Sequence, residues 1–168
     1  GEAVLEETMT VPEFKEFASI PRLSRPCVIT EKIDGTNGVV YVGEDGSVAA
    51  GSRSRWITPE MDNHGFAAWV KVNERELAVG LGPGTHYGEW WGAGINKRYP
   101  GLLPKRFSLF NVSRWRETRP TCCDVVPVLY EGLFTTEAVE NALTLLREKG
   151  SVAAPGNMRP EGVVIYHI

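Results

Sequence analysis

Residues 26–53, PCVITEKIDGTNGVVYVGEDGSVAAGSR, constrain the fold more than any other stretch of the chain. An apolar run that reads as a strand ends at Lys32 and Ile33, breaks at the turn around Gly35, and is followed by a hairpin. Residues 39–42 and 48–50 flank Glu44-Asp45-Gly46, a turn sequence that joins antiparallel strands. Further on, Phe66, Trp69, Val70, Asn73 and Leu77 recur at helical spacing. They predict one helix that begins at Asp62 or Asn63, either a good N-cap, and stops at the GLGPG of residues 80–84. A second helix is predicted from Thr136 to Lys149, with Val139, Ala142, Leu143 and Leu146 on one face and Gly150 as its cap. THYGEWWG, RFSLFNV, PVLYEGLF and EGVVIYHI read as strands, and TVPEFKEFASI as a short helical turn with Pro12 near its start. Helices and strands mix without strict βαβ alternation, so the expected class is α+β with largely antiparallel sheets.

The 168 residues suffice for one domain with a real core or for two small lobes. No apolar run approaches the roughly 20 residues that span a bilayer, and the acidic start GEAVLEETM lacks a signal pattern. A net charge of −3 argues against a strongly basic coat for nucleic acid, but leaves room for a local groove of Lys and Arg. Cys27, Cys122 and Cys123 make an odd count without C-x-x-C spacing, which suits a reducing, cytosolic setting. His64, His86 and His167 show no metal-ligand spacing, which argues against zinc.

Several residues carry chemistry. Lys32, at a strand end before a glycine turn, suits a nucleophile that must lose a proton. K-x-D-G alone fits a surface lysine equally well. Arg53 and Arg55 in GSRSRW would bind phosphate or ribose oxygens, or simply line a solvated hairpin edge. Glu89 alternates with bulky aromatics in HYGEWWGAGINKRYPG. A carboxylate in such company needs a partner or a ligand, unless it lies on an exposed edge. The glycines at 92 and 94 with Asn96 and Lys97 form a compact turn able to face phosphates or RNA. Phe107 in RFSLFNV, with Phe110 three residues on, is a core aromatic or, if it faces a cleft, a stacking surface for a base. Glu161, before the last strand, could hold Mg²⁺ directly or through water.

Taken in order, EKIDGTN, SRSRW, YGEWWGAGINK, RFSLFNV and EGVVI resemble the nucleotidyltransferase domain of ATP-dependent RNA ligases, the group typified by the second RNA ligase of T-even phages. The resemblance covers residues 26–167. It implies a nucleotidyltransferase (ATP-grasp-like) fold of antiparallel sheets flanked by helices. It also implies ATP with Mg²⁺ (or Mn²⁺), RNA ends bearing a 5′-phosphate and a 3′-hydroxyl as partners, no membrane, and a cytoplasmic repair setting (a host cytoplasm if the source is a phage). Lys32 would attack the α-phosphate of ATP and carry AMP as a phosphoramidate. Glu31 would lie at the adenine edge, with Ile33 also in the nucleotide-binding set, and Asn37 on the phosphate side. Arg53, with Arg55 as second candidate, would approach the ribose and the RNA end. Glu89 would take the ribose hydroxyls. Phe107 would stack on adenine with Val164 on the other face, and Glu161 would serve the metal. The family's later K-x-K strand is not reached before Ile168. The expectation is therefore a single adenylyltransferase domain over residues 1–168, without that last lysine-bearing strand or a C-terminal RNA-binding domain. A DNA ligase or capping guanylyltransferase shares the same skeleton, and a non-catalytic nucleotide- or RNA-end-binding module is the alternative from another class.

Overall fold

A computed structural model describes residues 25–95 and 103–168, together with the backbone of residues 5–10. The helical turn expected around Pro12 lies outside the described residues, apart from Thr10, which ends a strand. In chain order the elements are β1 (Leu5–Thr10), β2 (Pro26–Lys32), β3 (Thr36–Val42), β4 (Val48–Gly51), β5 (Trp56–Ile57), α1 (Phe66–Val72), α2 (Glu74–Leu81), β6 (Gly84–Trp91), β7 (Arg106–Leu109), α3 (Val112–Trp115), β8 (Cys123–Val125), β9 (Val128–Leu133), α4 (Thr136–Lys149) and β10 (Gly162–His167). The class is α+β, as expected. The chain divides into two compact units, residues 1–34 with 126–168, and residues 35–125.

The first unit is a four-stranded antiparallel sheet in the order β1-β10-β2-β9. Helix α4 forms where its caps and apolar stripe predict it. The Thr135 side chain accepts from Ala138 N at 2.9 Å, and Gly150, at φ 81°, ends the helix by donating to Leu146 O at 2.8 Å. Val139, Ala142, Leu143 and Leu146 pack with Cys27, Ile29, Val163 and Ile165 from the sheet. Each large apolar side chain buried there contributes about 1.5–3 kcal/mol. Strand side chains alternate between faces. Lys32, Thr30 and Val28 of β2 therefore share the opposite face with Val164 and Tyr166 of β10.

The second unit is a six-stranded sheet in the order β5-β4-β3-β6-β7-β8, antiparallel except for the β7–β8 pair. The hairpin between β3 and β4 closes through Gly43 N to Ser47 O at 2.8 Å, with Gly46 at φ 83° and the Asp45 carboxylate accepting from Ser47 N. Val40, Val42, Ala50, Trp90, Phe107 and Leu109 on one face pack against Phe66, Val70, Leu77 and Leu81 of α1 and α2. The single helix expected from residues 62 or 63 onward is two helices. Asn73, at φ −101° and ψ 13°, ends α1 and begins α2; its backbone N closes the last turn on Trp69 O at 3.1 Å, and its side-chain amide reaches the same oxygen at 2.8 Å. Asp62 acts from outside the helix: its carboxylate accepts from Ala67 N and Ala68 N at 2.7 and 3.0 Å.

Candidate functional site

In the first unit, β2 delivers Lys32 to its C-terminal end, directly opposite Gly162 at the start of β10. That register brings in the neighbouring Glu161. Lys32 Nζ lies 2.9 Å from Glu161 Oε1, and both side chains keep some exposure. Val164, buried, stands opposite Thr30 on the face that Lys32 shares. Strand alternation sends Glu31 the other way. It is only 2% exposed, and its carboxylate accepts from Ser151 Oγ at 2.6 Å, Val152 N at 2.7 Å and Ala153 N at 3.2 Å. Such a carboxylate binds the loop after α4 to the strand that carries Lys32. Ile33, the next residue, is buried.

In the second unit, Asn37 of β3 stands opposite Glu89 of β6. Glu89 Oε2 accepts from Gly35 N at 3.0 Å. A side chain at residue 35 would collide with the Trp90 carbonyl oxygen and the Trp91 Cβ, so the turn after Lys32 requires glycine. Glu89 pairs with Ser108 of β7, and Trp90 with Phe107. Phe107 therefore faces the helices. It is 0% exposed, with ring centroids of Phe66 and Trp69 at 5.1 and 5.6 Å. The resemblance implies a ring stacked on adenine; the fold instead gives Phe107 to the core, the other role open to it in RFSLFNV, and leaves it no open face. Arg53 and Arg55 are exposed in the loop that joins β4 to β5, closed by Ser52 N to Arg55 O at 2.8 Å, and neither forms an ion pair among the described residues. Asn96 and Lys97 lie outside the described residues.

Sequence reasoning passed over Phe110. Its N donates to Tyr87 O at 3.0 Å, continuing the β6–β7 ladder past Leu109. Alternation puts it on the face of Ser108 and Glu89, half-buried. The signal was available in RFSLF: a strand read with period two separates Phe107 from Phe110, whereas spacing by three groups them.

Among the described residues no three His, Cys, Asp or Glu side chains form a metal-binding group, and no helix is long and apolar enough to cross a membrane. Glu161 offers a carboxylate beside Lys32. That fits Mg²⁺, which keeps several waters and commonly takes one or two carboxylates together with substrate phosphates.

Compared with known proteins, the chain matches the family model described as RNA ligase over residues 25–168. No curated protein matches it.

Proposed function

This chain belongs to the RNA ligase family, and from that membership we propose that it joins RNA ends through an adenylylated lysine. The family match supports a ligase-type function in general and fits the nucleotidyltransferase-like α+β fold. The observation that carries the finer reading is the Lys32–Glu161 pair at 2.9 Å. It is an amine held at a strand end beside a carboxylate, on a face shared with Val164.

Lys32 acts as the nucleophile. An ammonium has no lone pair, so Lys32 must leave Glu161 and give a proton to solvent before it attacks. Its nitrogen then bonds to the α-phosphorus of ATP while the bond from that phosphorus to the bridging oxygen breaks and pyrophosphate departs. A 5′-phosphate oxygen of the RNA attacks the same phosphorus, the N–P bond breaks, and Lys32 takes a proton back. Finally the 3′-hydroxyl loses its proton and attacks the 5′-phosphorus, releasing AMP and sealing the strand. Glu161 would hold Mg²⁺, which when bound neutralises phosphate charge.

The remaining residues position the reactants. Glu89, anchored to the turn by Gly35 N, takes a ribose hydroxyl, since a carboxylate accepts through both oxygens. Asn37 donates to phosphate from the adjacent strand. Phe110 supplies an aromatic face for the base in place of the buried Phe107.

The test is incubation of the chain with α-labelled ATP and Mg²⁺. A covalent label that Lys32→Ala and Lys32→Arg both abolish is expected, because a guanidinium does not deprotonate to attack. Label from GTP in preference to ATP would move the protein to capping chemistry, and absence of label would overturn the covalent mechanism.

A further inference from the structure

The face of the six-stranded sheet turned away from α1 and α2 carries an unusual set of side chains. Among the described residues the exposed aromatics are Tyr41, Trp56 and Tyr87, at 41%, 62% and 59%. All three lie on this one face. The register makes the row explicit: Trp56 stands opposite Gly51, Gly51 opposite Val39, and Val39 opposite Tyr87. The row crosses four strands at about 4.8 Å apiece, so it is roughly 14 Å wide. That is as long as several stacked nucleotides at ~3.4 Å each. Tyr41 lies two residues along β3 from Val39, on the same face, and meets Trp56 edge-on at 6.1 Å. A Cβ on Gly51 would come within 3.3 Å of Trp56 Cε3, so the indole rests over the glycine strand. Trp56 is thereby held in place, although it is mostly in contact with solvent.

Exposing large aromatic surface to water is unfavourable, and a cluster of this kind on one face marks a contact surface. Two arginines identify the partner. Arg53 and Arg55, exposed and without ion pairs among the described residues, occupy the loop that leads directly into Trp56. Cationic groups beside flat, exposed rings complement phosphates beside unstacked bases. On a chain of net charge −3 this local positive charge is not a general surface property.

We propose that Trp56, Tyr41 and Tyr87 form a stacking platform for the bases of a single-stranded RNA segment, whose phosphates bind Arg53 and Arg55. The proposal rests on the ligase reading above and gives its substrate a form: the stretch of RNA beside the joint is presented unpaired. The row holding Asn37, Glu89 and Ser108 lies one side-chain repeat along the strands from the Trp56–Tyr87 row, about 7 Å away. A strand stacked on the platform would therefore adjoin the proposed ribose-binding carboxylate.

The experiment measures binding of a short fluorescein-labelled single-stranded RNA, and of its duplex, to the full chain by anisotropy. The Trp56→Ala/Tyr87→Ala double variant is expected to lose about tenfold or more in affinity for the single strand, the effect of one or two stacked bases. Trp56→Phe, which keeps a ring, is expected to retain most of it. The duplex, whose bases are already stacked, is expected to be insensitive to the aromatic substitutions. Arg53→Ala/Arg55→Ala is expected to reduce the slope of log affinity against log salt by about 1.4, ~0.7 for each phosphate contact. All the altered residues are exposed, and thermal unfolding of each variant confirms that it folds. Single-strand affinity unchanged in the double aromatic variant would overturn the proposal. So would a wild-type dimer in sedimentation that those substitutions dissociate, because the face would then belong to a second copy. Labelling of Lys32 by ATP is measured separately on the wild-type chain. RNA binding that needs the platform in a chain that takes no label would sink the covalent mechanism and leave the platform standing.

Discussion

Glu89 and Phe107 occupy adjacent, hydrogen-bonded strands and face opposite sides of one sheet, because Glu89 is in register with Ser108 and Trp90 with Phe107. One residue of register decides which aromatic belongs to the core and which stands near the carboxylate.

Phe107→Ala is accordingly expected to act on stability, by about 3–5 kcal/mol, the range for deleting a large buried ring. Phe110→Ala is expected to act on the nucleotide. The ATP concentration for half-maximal labelling of Lys32 should rise roughly tenfold, the loss of a stack worth ~1–3 kcal/mol. Urea unfolding and an ATP titration on both variants separate the roles. A stable Phe107→Ala protein with weakened ATP use would return the base to Phe107.

Glu31 ties the loop after α4 to the strand that carries Lys32 through three hydrogen bonds. Glu31→Ala leaves Ser151 Oγ, Val152 N and Ala153 N without their acceptor, at about 1–3 kcal/mol for each buried group left unsatisfied. A loss of at least ~2 kcal/mol is expected in urea unfolding, at unchanged dependence on denaturant. Glu31→Gln, whose carbonyl oxygen still accepts, should recover part of it. Wild-type stability in Glu31→Ala, with ATP binding lost, would show instead that Glu31 reads the nucleotide.

What the sequence made legible was local. Thr135, Gly150 and the apolar period of α4 sit within the helix they define, and Gly46 within the hairpin it closes. Pairing between distant segments was not written in any window. The parallel contact of Cys123–Val125 with β7 depends on a crossover through α3, and no strand is predicted from sequence at residues 123–125. At the site, Lys32 and Glu161 were each recognisable as strand-end residues. That β2 and β10 are neighbours, with Lys32 opposite Gly162, is a property of the sheet. Asn73 shows the reverse failure: its spacing fits the helix face, while its backbone leaves the helical conformation and its side chain turns back to Trp69 O.

His86 should make the second unit acid-sensitive. It is buried, its Nε2–H donates to Gly82 O at 2.8 Å, and Trp115 meets its ring edge-on at 5.7 Å. Burial first, and then the nearby Arg114 cation, hold its pKa below the ordinary 6.5, against the opposing effect of the Gly82 carbonyl. The folded state therefore favours the neutral ring. Stability is complete above the unfolded value and falls as the pH drops through it, because the unfolded chain then binds the extra proton. The slope contributed by one such site cannot exceed about 1.4 kcal/mol per pH unit. Urea midpoints between pH 8 and pH 5 should decline more steeply in the wild type than in His86→Gln, and equal slopes would count against this origin.

The three cysteines are free, and burial keeps them protonated. It pushes Cys27 and Cys122 up to about 11, the latter helped by the Glu76 carboxylate, and pushes Cys123 higher still with Cys122 beside it. Only the thiolate reacts with alkylating or disulfide reagents. At pH 8 a thiol with a pKa near 11 is ionised to about one part in a thousand, against roughly a quarter for an unperturbed cysteine. Native protein should therefore react with a disulfide reagent at least two orders of magnitude more slowly than the same chain in denaturant. Cys122 should lead, since it is partly exposed where Cys27 and Cys123 are buried. Glu76 Oε1 accepts from Cys122 N at 2.9 Å, so its charge sits against that residue. Glu76→Gln removes the charge, lowers the thiol pKa and should speed modification of Cys122 while leaving Cys27 slow. A rapid burst at Cys27 in the native wild type, read by mass spectrometry of the modified peptides, would show that burial does not protect it.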